Sequence, residues 1–202
     1  MKKFVLLNCC LALAGCGLKH QVVRLDIPAT YASPAQGKVI VIANVQDARM
    51  SIFGVKLSAT EQARNIGGVL RGGNGIAVDI EGETVADQTR QIATEALRGM
   101  GYKVVTGEAG DLAATRISFK LIQFEVNMPF DFWRAATYSQ HMLADLKTDV
   151  VVASAGGPKT ITVVGHGENV YQRVTSENWQ IAINKAIVDY TKHLQQAMSN
   201  ID

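Results

Sequence analysis

Residues 138–152 alternate apolar and polar side chains plainly enough to demand a sheet with one face in the core. Tyr138, Met142, Ala144, Leu146, Val150 and Val152 fall on one side, and Ser139, His141, Asp145, Lys147 and Asp149 on the other. Successive side chains of a strand point to opposite faces, so the pattern describes a strand half buried and half wet. Long strands are predicted on both sides of it, at about 113–126 and 160–172, and Ala155-Gly156-Gly157-Pro158 makes a turn before the last. The three predict an antiparallel meander.

Two helices accompany it. Val85, Thr89, Ile92, Ala93, Ala96, Leu97 and Met100 recur at helical spacing, with Thr84 placed to cap the start and Gly101 to end it in the left-handed conformation. A second stripe, Trp179, Ala182, Ile183, Ala186, Ile187, Tyr190, Leu194 and Ala197, predicts a helix over 176–198. Upstream, 38–44 is an apolar, β-branched run typical of a strand buried on both faces. With the helix at 85–100 and a returning strand at 102–105 it predicts a parallel crossover. Between 45 and 82 the pattern weakens. Short strands are expected near 52–57 and 76–80, and Gly67-Gly68, Gly72-Gly73 and Asn74-Gly75 break the chain, the last suiting a tight hairpin turn. The expected fold is one α+β domain over 38–202, a two-layer sandwich. Its sheet is mixed and mostly antiparallel, with two amphipathic helices on one face.

The first residues read differently. Lys2 and Lys3 precede an apolar run from Phe4 to Ala14, too short to span a bilayer, which takes about 20 residues. Leu13-Ala14-Gly15-Cys16 has the form of a lipobox, with small residues before the cysteine. The expectation is a signal peptide over 1–15, removed to leave Cys16 lipidated. Residues 16–37 would form a tether in which 22–27 alternates well enough to dock as a short edge strand. More than one acyl chain, at about 0.8 kcal/mol per buried methylene, makes such an attachment stable. Gly17, rather than Asp, after the cysteine favours the periplasmic face of the outer membrane.

Charge and cysteine usage exclude several classes. Once Lys2 and Lys3 are removed, the basic residues equal the 18 acidic ones, which offers nothing to nucleic acid. Cys9 and Cys10 leave with the signal and Cys16 is taken by the anchor. The folded part therefore has no disulfide, thiol nucleophile or cysteine-metal site.

No catalytic constellation stands out. Gly-x-Ser-x-Gly and Ser-x-x-Lys are absent, and no His-x-His or His-Glu-x-x-His appears among His20, His141, His166 and His193. His141 and His166 lie on neighbouring predicted strands and can approach each other. Gly72-Gly73-Asn74-Gly75 lacks the lysine and the helix start of a phosphate loop. Asp79, Glu81, Glu83 and Asp87 gather at a helix start, where the dipole favours acids, without the spacing of a calcium loop. No cofactor or metal is expected. The stretch Met128-Pro129-Phe130-Asp131-Phe132-Trp133-Arg134 concentrates residue types that dominate binding hot spots.

In its order of elements the chain resembles the YajG-like family of small bacterial outer-membrane lipoproteins. The matching features are the lipobox at Cys16, Asp47-Ala48-Arg49 after the buried strand, and Ile66-Gly67. The helix ending Arg98-Gly99-Met100-Gly101-Tyr102, the long strands and the C-terminal helix complete the pattern. The resemblance implies a lipoprotein of unassigned role and brings no catalytic residues. The expectation is a non-enzymatic envelope lipoprotein that binds a protein or an assembly, with Arg49, Phe130, Phe132, Trp133 and Arg134 as candidate contacts. The alternative is an auxiliary lipoprotein subunit of a lipid transporter, which a sizeable apolar cavity would favour.

Overall fold

A computed structural model describes residues 18–29, 38–50, 58–71, 74–107, 115–129, 139–154 and 157–200. Eight strands and three helices follow in the order β1 (Leu18–Val23), β2 (Val39–Asp47), α1 (Ala59–Arg64), β3 (Asn65–Arg71), β4 (Asn74–Ile80), α2 (Val85–Gly99), β5 (Lys103–Thr106), β6 (Thr115–Asn127), β7 (Gln140–Ser154), β8 (Gly157–Tyr171) and α3 (Ser176–Ser199). The strand expected at 52–57 lies outside the described residues.

The meander forms as the alternation demands. β6 pairs antiparallel with β7, and β7 with β8 along its whole length, from Gln140 opposite Tyr171 to Ser154 opposite Gly157. Met142, Ala144, Leu146, Val150 and Val152 are buried, and so is Thr148 on the same face. The Thr148 hydroxyl and the Tyr190 hydroxyl of α3 are 2.8 Å apart, which satisfies two polar groups that burial would otherwise strand. Burial pushes the Tyr190 hydroxyl well above its ordinary pKa, so the pair stays neutral.

The rest of the sheet is more parallel than the sequence pattern suggests. β1–β4, β2–β5, β2–β6 and β3–β6 all pair parallel, and β3–β4 antiparallel. The crossover β2–α2–β5 is the predicted one. The surprise is β6, which shares one edge between two strands. β2 runs beside residues 115–121, then leaves, and β3 takes its place beside Val126 and Asn127. The sheet therefore forks along β6, with β2–β5 on one branch and β3–β4–β1 on the other.

The glycines expected to break the chain instead make β3 possible. Gly67 and Gly68 have φ of 113° and 138°, and a Cβ on them would stand 2.4 Å from the Val126 carbonyl oxygen and 1.9 Å from that of Ile76. Only glycine allows that approach. Asn74 and Gly75 lie in β4, opposite Arg71 and Leu70, so the hairpin connection falls at 72–73 rather than on the Asn-Gly pair. The edge strand of the amino-terminal segment runs over 18–23, earlier than the alternation at 22–27 indicates, because its partner β4 sets the register.

Thr84 caps α2, accepting from the Asp87 amide. Its hydroxyl hydrogen-bonds the Asp87 carboxylate, and with Arg90 it holds that carboxyl below its ordinary pKa. α2 buries Val85, Ile92, Ala93, Ala96 and Leu97 against β2 and β5, and touches α3. α3 lies on β7 and β8 and also reaches β1. Its contact with β8 is unusually close. A Cβ on Gly165 would stand 2.3 Å from the Ala186 carbonyl oxygen, and one on Gly167 2.1 Å from that of Ala182.

That closeness lets α3 cover the middle of the outer edge of β8, from Val164 to Glu168. Lys185 Nζ donates to the Glu168 carbonyl at 2.8 Å, Asp189 accepts from the His166 amide at 3.0 Å, and His193 Nδ1 donates to the Val164 carbonyl at 2.7 Å. Four helical residues rise about 6 Å and two strand residues about 6.6 Å, so the spacings match. Three edge groups that would template another strand are thereby covered.

Two outcomes follow. Gly165→Ala is expected to lower unfolding stability by about 1–3 kcal/mol, the range for overpacking, because backbone rather than a flexible side chain must give way. Urea denaturation measures it, and an unchanged midpoint would show that α3 sits loosely on β8. Thr84→Ala is expected to cost about 1 kcal/mol at neutral pH. Because the folded Asp87 value is depressed, its share of that stability exists above the ordinary carboxylate range and fades as pH falls through the folded value. The penalty should therefore shrink in acid, as read by unfolding at two pH values.

Candidate functional site

Of the lipidation residue and the candidate contacts, Arg49 is the one the structure describes. Cys16, Phe130, Phe132, Trp133 and Arg134 lie outside the described residues. Arg49 follows the end of β2, where the sheet forks. The Ala48 amide donates to the Leu121 carbonyl at 2.9 Å, the last backbone bond before the branches part.

Beyond it the Arg49 guanidinium takes over. Nε and Nη2 clamp the Asp47 carboxylate at 2.9 and 2.8 Å, Nη1 donates to the Asn65 carbonyl at 2.8 Å and the Phe124 carbonyl at 3.3 Å, and Nη2 to the Gln62 carbonyl at 3.4 Å. The side chain is 7% exposed. A guanidinium presents its donors in a rigid planar fork, and here they bind β6, the entrance of β3 and the last turn of α1 at once.

The network continues across the second branch. The Asn65 side-chain amide donates to Asp79 at 2.9 Å, and its oxygen accepts from the Gly67 amide at 3.1 Å. His20 Nδ1 donates to Asp79 at 2.6 Å. The chain of bonds thus runs from the end of β2 through β3 and β4 to β1. Asp47-Ala48-Arg49 and Ile66-Gly67, two of the pieces that carried the family resemblance, meet at this fork.

Beside the fork, Ala48, Arg49, Met50, Gln123, Glu125 and Lys147 line a depression of about 450 Å³. A larger cleft of about 760 Å³ lies past the end of β1, and Arg24, Asp26, Glu81, Gln88, Gln91 and Gln180 line it. Leu25 and Ile27 also line it, but charged and amide groups predominate on its walls, which suits an acyl chain poorly. The buried polar atoms without a partner among the described residues, Gln21 Oε1 and Trp179 Nε1, belong to β1 and α3; Arg24, just after β1, and Gln180 of α3 line that cleft.

The histidines do not converge. His141 stands opposite Val170 and His166 opposite Asp145, four register positions apart. Each pairs with its own carboxylate, His141 with Glu168 at 2.9 Å and His166 with Asp145 at 2.8 Å. The His141 hydrogen bond holds the Glu168 carboxyl below its ordinary pKa. Among the described residues no group of three His, Cys, Asp or Glu side chains could hold a metal ion. Of the acids around the start of α2, Asp79 is engaged with His20 and Asn65, and Asp87 with Thr84 and Arg90.

The Arg49 geometry makes a definite expectation. Removing the guanidinium leaves carbonyls of three segments without a donor, so Arg49→Ala should lose on the order of 2–4 kcal/mol of stability. Arg49→Lys should recover only part, since an ammonium cannot reproduce the planar fork. Thermal or urea unfolding reads both. A change within about 0.5 kcal/mol, typical of surface positions, would return Arg49 to the list of free contact residues.

No protein-family model matches the chain, and no curated protein does. Among solved structures it is similar to a Xanthomonas campestris protein of the family DUF330, at 10% identity and a TM-score of 0.49, over 90% of this chain and 99% of that one. It is also similar to the rare lipoprotein B of Shewanella oneidensis, at 13% identity and a TM-score of 0.40, over 55% of this chain and 85% of that one. A hypothetical protein from Chlamydia trachomatis is similar at 7% identity and a TM-score of 0.41, over 82% and 96%. None of these three is described as YajG-like, and at these scores they assign neither a family nor a function.

Proposed function

We propose that this chain is a lipid-anchored envelope lipoprotein that faces the periplasm from the outer membrane and acts by binding a protein partner rather than by catalysis. The observation that carries the reading is Leu13-Ala14-Gly15-Cys16 behind a basic, short apolar segment. Gly17 after the cysteine supports the outer membrane. Equal numbers of acidic and basic residues after the signal support a surface that meets protein rather than a polyanion.

The geometry refines which residues serve. Arg49 is held inside the fork, which leaves the aromatic stretch Phe130, Phe132, Trp133 and Arg134 as the contact candidates. The face of β6, β7 and β8 opposite α3 adds a second surface. Exposed Lys120 and His166 and partly exposed Asp145, Lys147 and Asp149 lie along it, and cross-strand pairs such as His166–Asp145 hold its charges in place.

Cys16→Ser tests the anchor. The native protein is expected to incorporate labelled palmitate and float with outer-membrane vesicles, and the variant to do neither. A variant that still floats would remove the lipid anchor from the reading. The triple change Phe130→Ser, Phe132→Ser, Trp133→Ser tests the contact. It should keep the unfolding midpoint and lose the partner that crosslinks to the native protein in intact cells. Survival of that crosslink would exclude the stretch as the binding surface.

A further inference from the structure

The strand register places the anchor relative to the rest of the sheet. β1 begins at Leu18, so only Gly17 separates Cys16 from the fold, and two residues span about 7 Å at most. Leu18 stands opposite Gly75 of β4, and Gly75 opposite Leu70 of β3. β3 runs parallel to β6 with Gly68 opposite Asn127, so the same line, continued two residues, meets Pro129. Across β6 and β7, Asn127 faces Leu143, which puts Pro129 level with His141, and His141 faces Val170 of β8.

One row of the sheet thus runs from the residue next to the anchor to Val170. With neighbouring strands about 4.8 Å apart, Leu18 and Pro129 are about 14 Å from each other along it. Among the described residues, the end of β3 at Arg71, the start of β4 at Asn74, Pro129 after β6 and the end of β8 at Tyr171 all lie on the anchor's side. Val170 and Tyr171 close β8 here with 45% and 54% of their surfaces exposed. Among the described residues, none of the large exposed apolar side chains sits at the opposite end, around Lys38, Lys103, Thr115 and Lys159.

We propose that the sheet end marked by Leu18, Pro129, Val170 and Tyr171 lies against the lipid surface, with β8 leading away from it into the periplasm. The placement rests on the reading of Cys16 as lipidated. An anchor one residue from a paired strand leaves the domain little freedom to turn over. Tyrosine, as at position 171, favours the headgroup region, where an apolar ring and a polar edge are both satisfied. The outer face of the meander and the polar cleft beyond β1 then remain open to the periplasm for a protein partner.

The test uses the lipidated protein reconstituted in phosphatidylethanolamine–phosphatidylglycerol vesicles. Beyond Cys16, whose sulfur the lipid occupies, the processed chain has no cysteine, so one introduced thiol carries one label. Tyr171→Cys and Lys159→Cys are both exposed positions of β8, about 40 Å apart along the strand. With a fluorophore at each and a quencher carried by the lipid, emission should be lost at Tyr171→Cys and retained at Lys159→Cys. Labels that respond alike, or quenching at Lys159→Cys alone, on a protein shown by mass to be lipidated, would overturn the placement and leave the anchor standing. A protein that carries no lipid would overturn both.

Discussion

β6 has to satisfy the backbone of two different strands along one edge, and every other feature of the sheet accommodates that requirement. Where β2 leaves and β3 has not yet paired, the carbonyls of Phe124 and Asn65 would face neither strand nor water. The Arg49 guanidinium reaches both, while Asp47 balances its charge. A buried arginine is tolerable only when its donors are used and its charge is paired, and both conditions hold here. The fork then fixes the positions of β3, β4 and β1, and through β1 the place where the amino-terminal segment enters the fold.

The second constraint is the closeness of α3 to β8. Gly165 and Gly167 remove the side chains that would hold a helix at ordinary distance, and Ala182 and Ala186 face them from the helix. The resulting approach brings Lys185, Asp189 and His193 within reach of the strand's free edge. A long, regular outer strand is an invitation to pair with another chain, and the helix occupies the middle of that edge, from Val164 to Glu168. The packing that stabilises the core also leaves the face of the meander opposite α3 uncovered by that helix.

Much of the fold was legible in advance, and the reason differs by element. Periodicity exposed β6, β7, β8, α2 and α3, because a long amphipathic element must show one face to the core. The two helical stripes are buried at nearly every residue read from them. The strand expected near 76–80 is there as β4, but the segment 58–71 was not legible. Gly67 and Gly68 look like breaks when the chain is read locally, since nothing nearby signals that a neighbouring carbonyl will occupy the space of their missing side chains. α1 escaped notice because it buries no residue and leaves no stripe, although Ser58 and Glu61 form a capping box. Arg49 was picked out as a surface contact for a similar reason: its partners Asn65 and Phe124 lie 16 and 75 positions away in sequence.

What the sequence determined by itself was the material of the fold, strands and helices with a period of their own, beside a cysteine motif that reads as an anchor signal. Those are local properties, set by a few neighbouring side chains. The tertiary structure decided the fork, the parallel branches, the helix-covered middle of the β8 edge and the end of the sheet that holds Leu18. Each of these depends on which distant backbone groups are left to be satisfied once the long strands have paired. That is a property of the assembled sheet and of no single segment.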